Sequence, residues 1–257
     1  MQIIMMILRS FLFMFLFYTG TVVQMVFWLP VFFFLSREDG WKVVRSWGWS
    51  ALWMQYLIVG TRFEFRGMEN IPAEGGYILA SKHQSSWETY TMLLFLRDPS
   101  YVLKRELKFL PLFGSFASKM EVIYVNRGKR NEALRAMNRD AKRQLSEGRN
   151  IVIYPEGTRS HAFSKPTYKH GITHMYENLE ARVLPAGLNA GLFWPRQSFR
   201  LYKGTCILEF LPVIEPGLSA AEFSNSLAEQ IEASSNALMA EALDDPEYDG
   251  RQRFAKS

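Results

Sequence analysis

The chain has 257 residues, ample for a full hydrophobic core, and 30 Lys plus Arg against 25 Asp plus Glu give a formal net charge of only +5, too small an excess to mark a nucleic-acid binder. Hydrophobic residues at 48% and charged residues at 21% exclude a disordered chain. Cys206 is the single cysteine, so an intramolecular disulfide and a Cys-rich zinc site are both excluded and a reducing compartment fits.

From Ser10 to Ser36 there is no charged side chain, and a run of that length can cross a bilayer. It is longer than the apolar region of a secretory signal peptide and no small-x-small cleavage site closes it, while buried helices of soluble proteins rarely run so far without a charge. Gly20 and Pro30 are expected to interrupt it. The next stretch, Trp41 to Val59, carries Trp41, Trp47, Trp49, Trp53 and Tyr56, side chains that prefer the headgroup level. Residues 1–60 therefore read as a membrane-anchoring helical region, either one tilted span or, preferred, a bent pair of helices dipping into one leaflet. Arg9 on one flank and Arg37, Lys42 and Arg45 on the other place both flanks on the cytoplasmic side.

Residues 61–257 read as one α/β domain, because short apolar runs alternate with helical stretches. Tyr77–Ala80, Val122–Val125, Ile151–Tyr154 and Ile207–Leu211 are the clearest strands. Leu134, Met137, Ala141 and Leu145 recur at helical spacing and Gly148 is a natural stop; Arg135, Arg139, Lys142 and Arg143 give that helix a basic face, solvated or turned to a membrane. A second amphipathic helix starts near Ser219 and aligns Phe223, Leu227 and Ile231. The fold class expected is α/β, a mixed central sheet flanked by helices, with an N-terminal membrane-associated helical segment.

Chemistry-bearing residues concentrate in four segments. The first, Ser81 to Glu88, lies between a strand and a helix. His83 and Glu88 are five apart, about 140° on one helix and opposite faces of one strand, so they meet only across a strand-to-helix turn that Ser85 or Ser86 could cap. A carboxylate on one imidazole nitrogen leaves the other as a base able to deprotonate a hydroxyl; spacing alone also fits a structural histidine beside an ordinary first-turn acid. The second segment, Tyr154 to Arg159, follows a strand and can offer backbone N–H groups and a guanidinium to a phosphate, or be a tight turn with a surface ion pair. The third runs from Val102 through Lys104, Arg105 and Leu107 to Gly114, and the fourth is Val125-Asn126-Arg127. Each sets a cation beside apolar surface.

These four segments, in this order, resemble the glycerolipid (lysophospholipid) acyltransferase family, its bacterial 1-acyl-sn-glycerol-3-phosphate acyltransferases in particular, over roughly Gly67 to Pro212. His83 to Glu88 resembles the family's His-x4-acid motif, Lys104 to Gly114 the approach to a motif ending at Arg127, and Tyr154 to Arg159 its Phe-Pro-Glu-Gly-Thr-Arg block. Val183 to Ala186 resembles its apolar-proline motif, and Lys169-His170-Gly171 the lysine and glycine between those two. Glu88 stands where aspartate is commoner, Lys82 where asparagine is frequent, Asn126 where aspartate often precedes the arginine, and Tyr154 where phenylalanine is usual.

The resemblance implies a single-step acyl transfer without covalent intermediate, metal or cofactor, acyl-CoA or acyl-carrier protein being the co-substrate. His83, oriented by Glu88, would deprotonate the sn-2 hydroxyl of lysophosphatidate. Arg159, with Arg127, Lys104 and Arg105, would hold its phosphate, and Glu156, Gly157 and Thr158 would shape the substrate loop. The bilayer is then a partner, nucleic acid is not, and the active site faces the cytoplasm. Other acceptors, glycerol 3-phosphate or a lyso-aminolipid, fit similar motifs. A metallohydrolase using His161, His170 and His174, or a non-catalytic membrane adaptor, fits fewer of these residues. Cys206 lies in an apolar run with no adjacent base and is a poor nucleophile.

Overall fold

The computed structural model of the chain describes residues 2–126, 128 and 130–254. Two long helices come first. α1 (Gln2–Phe32) passes through Gly20 and Pro30 without a break, against the sequence expectation: Pro30 falls in the last turn, where its missing N–H forfeits a single hydrogen bond. Ser36 then caps α2 (Arg37–Val59) by accepting from Asp39 N at 3.1 Å, and Gly60, at φ 84°, ends it in the left-handed conformation.

Met6, Ser10, Phe13 and Phe17 recur at helical spacing and form the buried side of α1, while Phe11, Phe15, Val22, Val23 and Phe27 are exposed. Among the described residues Ile3–Phe32 is the one stretch of helix long and apolar enough to cross a membrane. α2 buries Trp41, Ala51, Leu52 and Val59 in the same hydrophobic cluster as Phe13, Leu79, Val152 and Phe210. The flanking cations are engaged by the protein itself. Arg9 pairs with Asp249 at 2.8 Å, Arg37 with Asp98 at 2.9 Å and Glu121 at 3.0 Å, and Arg45 donates to the Leu96 carbonyl at 2.7 Å.

The rest of the chain gives β1 (Thr61–Arg66), β2 (Ile78–Ser81), α3 (Trp87–Thr91), β3 (Pro99–Lys104), α4 (Phe113–Lys119), β4 (Ile123–Val125) and α5 (Arg130–Ser146). It continues through β5 (Asn150–Ile153), α6 (His170–Leu179), β6 (Val183–Leu188), α7 (Ala190–Phe193), β7 (Gly204–Phe210) and α8 (Ala220–Asp244). The described strands form one sheet in the order β1-β7-β6-β2-β5-β3-β4, parallel throughout except between β6 and β7. The mixed α/β architecture expected from the sequence is thus the one observed. The four strands read from apolar runs lie within a few residues of their expected bounds.

β2, β5 and β6 are buried along their whole length, as parallel strands covered on both faces must be. Gly187 allows that cover on β6, since a Cβ there would lie 2.2 Å from Ser234 Oγ on α8. In register, Ala80 of β2 sits opposite Ile153 of β5 on one side and Pro185 of β6 on the other. The loops that leave the carboxyl ends of β2 and β5 therefore emerge side by side, where ligands bind in open α/β sheets.

Candidate active site

Lys82 N still bonds Ala186 O of β6 at 3.0 Å, and immediately beyond it the chain turns into α3. The two serines divide the capping expected of one of them. Ser86 occupies the N-cap position without a side-chain bond, and Ser85 Oγ accepts from Trp87 N at 3.2 Å. The stronger cap is Glu88, whose Oε1 accepts from Gln84 N at 2.8 Å and Ser85 N at 2.7 Å and lies 2.8 Å from His83 Nδ1. Three donors converge on one fully buried oxygen, while Oε2 has no hydrogen-bond partner. Facing a carboxylate, Nδ1 takes the proton and Nε2 is left as an acceptor.

The second segment holds His83 from behind. Gly157, at φ 69°, turns the chain so that Glu156 Oε1 accepts from His83 N at 2.9 Å and Ser160 N donates to His83 O at 2.8 Å. The Tyr154 ring stacks on the imidazole at a centroid distance of 3.9 Å. Burial pushes the Glu156 carboxyl above the usual carboxylate range, against the lowering influence of Lys82. Glu156 is therefore a wall behind the histidine, 3% exposed and absent from the cavity lining, a place from which it shapes the loop without facing the cavity.

That cavity, of about 1090 Å³, has His83 in its wall. Gly157, Thr158, Arg159 and Lys104 line it, as do Lys169 and Arg196, and no described Asp or Glu does. Its apolar side comes from both the sheet domain and the long helices, including Met25 and Trp28 of α1, Trp41 and Trp47 of α2, and Leu103 and Phe116. Arg105 is not brought to this space; at the start of the 3₁₀ turn after β3, it lines with Lys108 and Tyr124 a separate hollow of about 250 Å³. Arg127 lies outside the described residues.

Several neighbours of the site escaped sequence reasoning. Arg196 Nη1 donates to the Arg159 carbonyl at 2.5 Å, and nothing in the local sequence signals it. Lys82 is buried and meets Glu232 of α8 at 2.6 Å; the visible signal was a lysine at the very end of an apolar strand. His174, expected with His170 as a metal alternative, instead faces Asn138 Nδ2 at 2.6 Å, and no group of three or more His, Cys, Asp or Glu converges among the described residues. Cys206 is buried in β7, and burial pushes its thiol up.

Comparison with known proteins adds four findings. A family model described as acyltransferase matches residues 62–189. The 1-acyl-sn-glycerol-3-phosphate acyltransferase of Pseudomonas aeruginosa is 37% identical over 163 residues, 63% of this chain and 63% of that protein, so the match spans less than two thirds of the relative. The 1-acyl-sn-glycerol-3-phosphate acyltransferase alpha of Homo sapiens is 27% identical over 77% of this chain and 70% of its own. The crystal structure of the 1-acyl-sn-glycerophosphate acyltransferase from Thermotoga maritima aligns with a TM-score of 0.74 over 91% of this chain and 98% of that one; at 22% identity the likeness is one of fold.

Proposed function

The chain belongs to the acyltransferase family, and from that premise we propose that it moves a fatty acyl group from an acyl thioester, acyl-CoA or acyl-carrier protein, to the sn-2 hydroxyl of 1-acyl-sn-glycerol 3-phosphate, giving phosphatidate for phospholipid biosynthesis. The observation that carries this reading is the convergence, in one cavity, of His83, held from outside it by the buried Glu88, the cations Arg159 and Lys104, and an extensive apolar wall. With free glycerol phosphate that wall would serve the donor's acyl chain alone; a lysolipid gives it a second chain to cover.

In this reading His83 Nε2 takes the hydroxyl proton as that oxygen attacks the thioester carbonyl. The new C–O bond forms, the C–S bond breaks, and the departing sulfur receives the proton from the imidazolium. Glu88 stabilises the imidazolium through Nδ1. Arg159 and Lys104 hold the acceptor phosphate by charge-assisted bonds and so place the hydroxyl near the base. Gly157 and Thr158 form the floor of that anion seat.

Residues 1–60 serve as the anchor of the 61–257 catalytic unit. The exposed apolar side of α1 enters the bilayer, which sets the cavity at the level where acceptor and product reside. Water-soluble acyl carriers then reach the site from the cytoplasm.

The test is acyl-thioester consumption by the purified protein in lipid, against lysophosphatidate, glycerol 3-phosphate and a lyso-aminolipid. Lysophosphatidate is the preferred acceptor on this proposal. Preference for either of the others reassigns the acceptor, and no consumption with any of them favours a membrane adaptor.

A further inference from the structure

Behind His83 lies a buried ionic cluster that the proposed chemistry does not touch. Lys82 is 1% exposed, yet its Nζ lies 2.6 and 2.7 Å from the two carboxylate oxygens of Glu232, on a helix beyond the stretch matched by the family model. The same ammonium is 3.8 Å from Glu156 Oε1, the atom that accepts from the His83 main chain at 2.9 Å. Tyr168 donates to Glu232 Oε1 at 2.9 Å, and the Ser160 hydroxyl donates to the His83 carbonyl at 3.3 Å. The other Glu156 oxygen is buried with no hydrogen-bond partner.

We infer that Lys82 is a positioning residue: gripped by Glu232 and facing Glu156, it fixes the carboxylate that holds the His83 main chain, and so extends the machinery of the site to α8. A buried carboxylate needs a nearby cation to remain charged, and a charged acceptor binds an N–H about twice as strongly as a neutral one. Glu156 has no other cation within ion-pair distance among the described residues. Glu232 acts on it in the opposite sense, both as a like charge and by drawing the ammonium to itself.

This arrangement makes two substitutions act in opposite directions. Lys82→Met removes the cation, so Glu156 binds its proton at higher pH. Glu232→Gln removes the competing charge and frees Lys82 to approach Glu156, which then binds its proton at lower pH. The His83 amide resonance reads the difference directly in the full-length protein in detergent micelles, titrated between about pH 4 and 10. Glu156→Gln, which abolishes the relevant inflection, separates it from the titration of the imidazole. The inference requires the inflection to move up in Lys82→Met and down in Glu232→Gln. Movement of both in one direction, or of neither, overturns it, and each variant gives its sign alone should the other not fold.

The kinetic half rests on the acyltransferase reading. In Lys82→Met, kcat near neutral pH falls about tenfold with both KM values within about twofold, and recovers as pH is raised past the shifted inflection. A loss confined to KM overturns the positioning role. A wild-type protein that transfers no acyl group overturns the functional proposal instead, and the amide titration still decides this one.

Discussion

The imidazole of His83 and the phenol of Tyr154 lie face to face, ring centres 3.9 Å apart and planes 16° from parallel. Tyr154 is thus a flat stop that, with Glu88 2.8 Å from Nδ1, holds the imidazole in place. Its hydroxyl reaches no described partner closer than the Met92 sulfur at 4.0 Å, and burial keeps the phenol neutral. The aromatic face is therefore what matters. Tyr154→Phe is expected to keep kcat within about threefold, whereas Tyr154→Ala lowers it about tenfold or more with an unchanged KM, as loss of orientation does. Steady-state kinetics of the two variants checks this, and equal activity in both would dissociate the ring from the histidine.

Removing the base itself should cost more. His83→Ala is expected to lower kcat by roughly 10²–10⁴ with a near-normal melting temperature, because the ring lies on the cavity wall and the rest of the loop is pinned by its main chain. Transfer at the wild-type rate by that purified variant would remove His83 from the mechanism.

Arg159 and Arg105 should part company. Arg159 shares the cavity with His83 and Arg105 lines a different hollow, so Arg159→Ala raises KM for the phosphorylated acceptor at least about tenfold while Arg105→Ala stays within about threefold. The acyl-donor KM changes less in Arg159→Ala than the acceptor KM. Indistinguishable variants would contradict the division.

The membrane proposal is best probed without touching the core. Val23 and Phe27 are 59% and 72% exposed, whereas Phe13 is fully buried. Val23→Asp together with Phe27→Lys is expected to reduce flotation with lipid vesicles, since each charge opposes burial in hydrocarbon by about 2.5–3.5 kcal/mol, and to leave the far-ultraviolet circular dichroism intact. Full retention on vesicles would show that α1 does not enter the bilayer.

A pH effect on stability follows from Glu121. Despite the opposing effect of burial, Arg37 and Arg149 hold its carboxyl below the usual range. A carboxylate lowered in the folded state stabilises above its unfolded value and loses that contribution as pH falls through the folded value. Glu121→Gln should therefore lower the melting temperature at neutral pH, with the difference from wild type closing below about pH 4. A difference independent of pH would assign the loss to packing.

What could be read from the chain alone depended on how local the signal was. The cap between β2 and α3 is local, and the five-residue spacing already limited a meeting of His83 and Glu88 to a strand-to-helix turn, where the structure has it. β2 and β5 announced themselves as apolar runs because both their faces are covered. β1 did not: Arg62, Glu64 and Arg66 mark an edge strand, and they pair with Glu247, with each other and with Glu241 rather than filling a core. β6 was masked by Pro185 and Gly187, residues that argue against a strand until α8 is seen to lie against it. Lys82 with Glu232, and Arg159 with Arg196, are 150 and 37 residues apart, and no spacing rule links such pairs. The contacts of the basic flanks of α1 and α2 were hidden for the same reason: Arg37 and Arg45 serve distant carboxylates and carbonyls of the folded chain.

Ser10 on α1 accepts from Leu201 N at 2.9 Å, across 191 residues of chain. The part of α1 around Ser10 and Phe13, whose edge-on neighbour is Trp194, therefore lacks its partners until the ribosome has made most of the protein. At about 5–20 residues per second that interval is roughly 10–40 s. Throughout it the nascent chain carries an oily helix that α2 alone can meet, through Trp47 on Thr21 and Phe17, so biosynthesis of this molecule depends on an early host for the rest of that helix, lipid or chaperone, well before there is a catalyst to anchor.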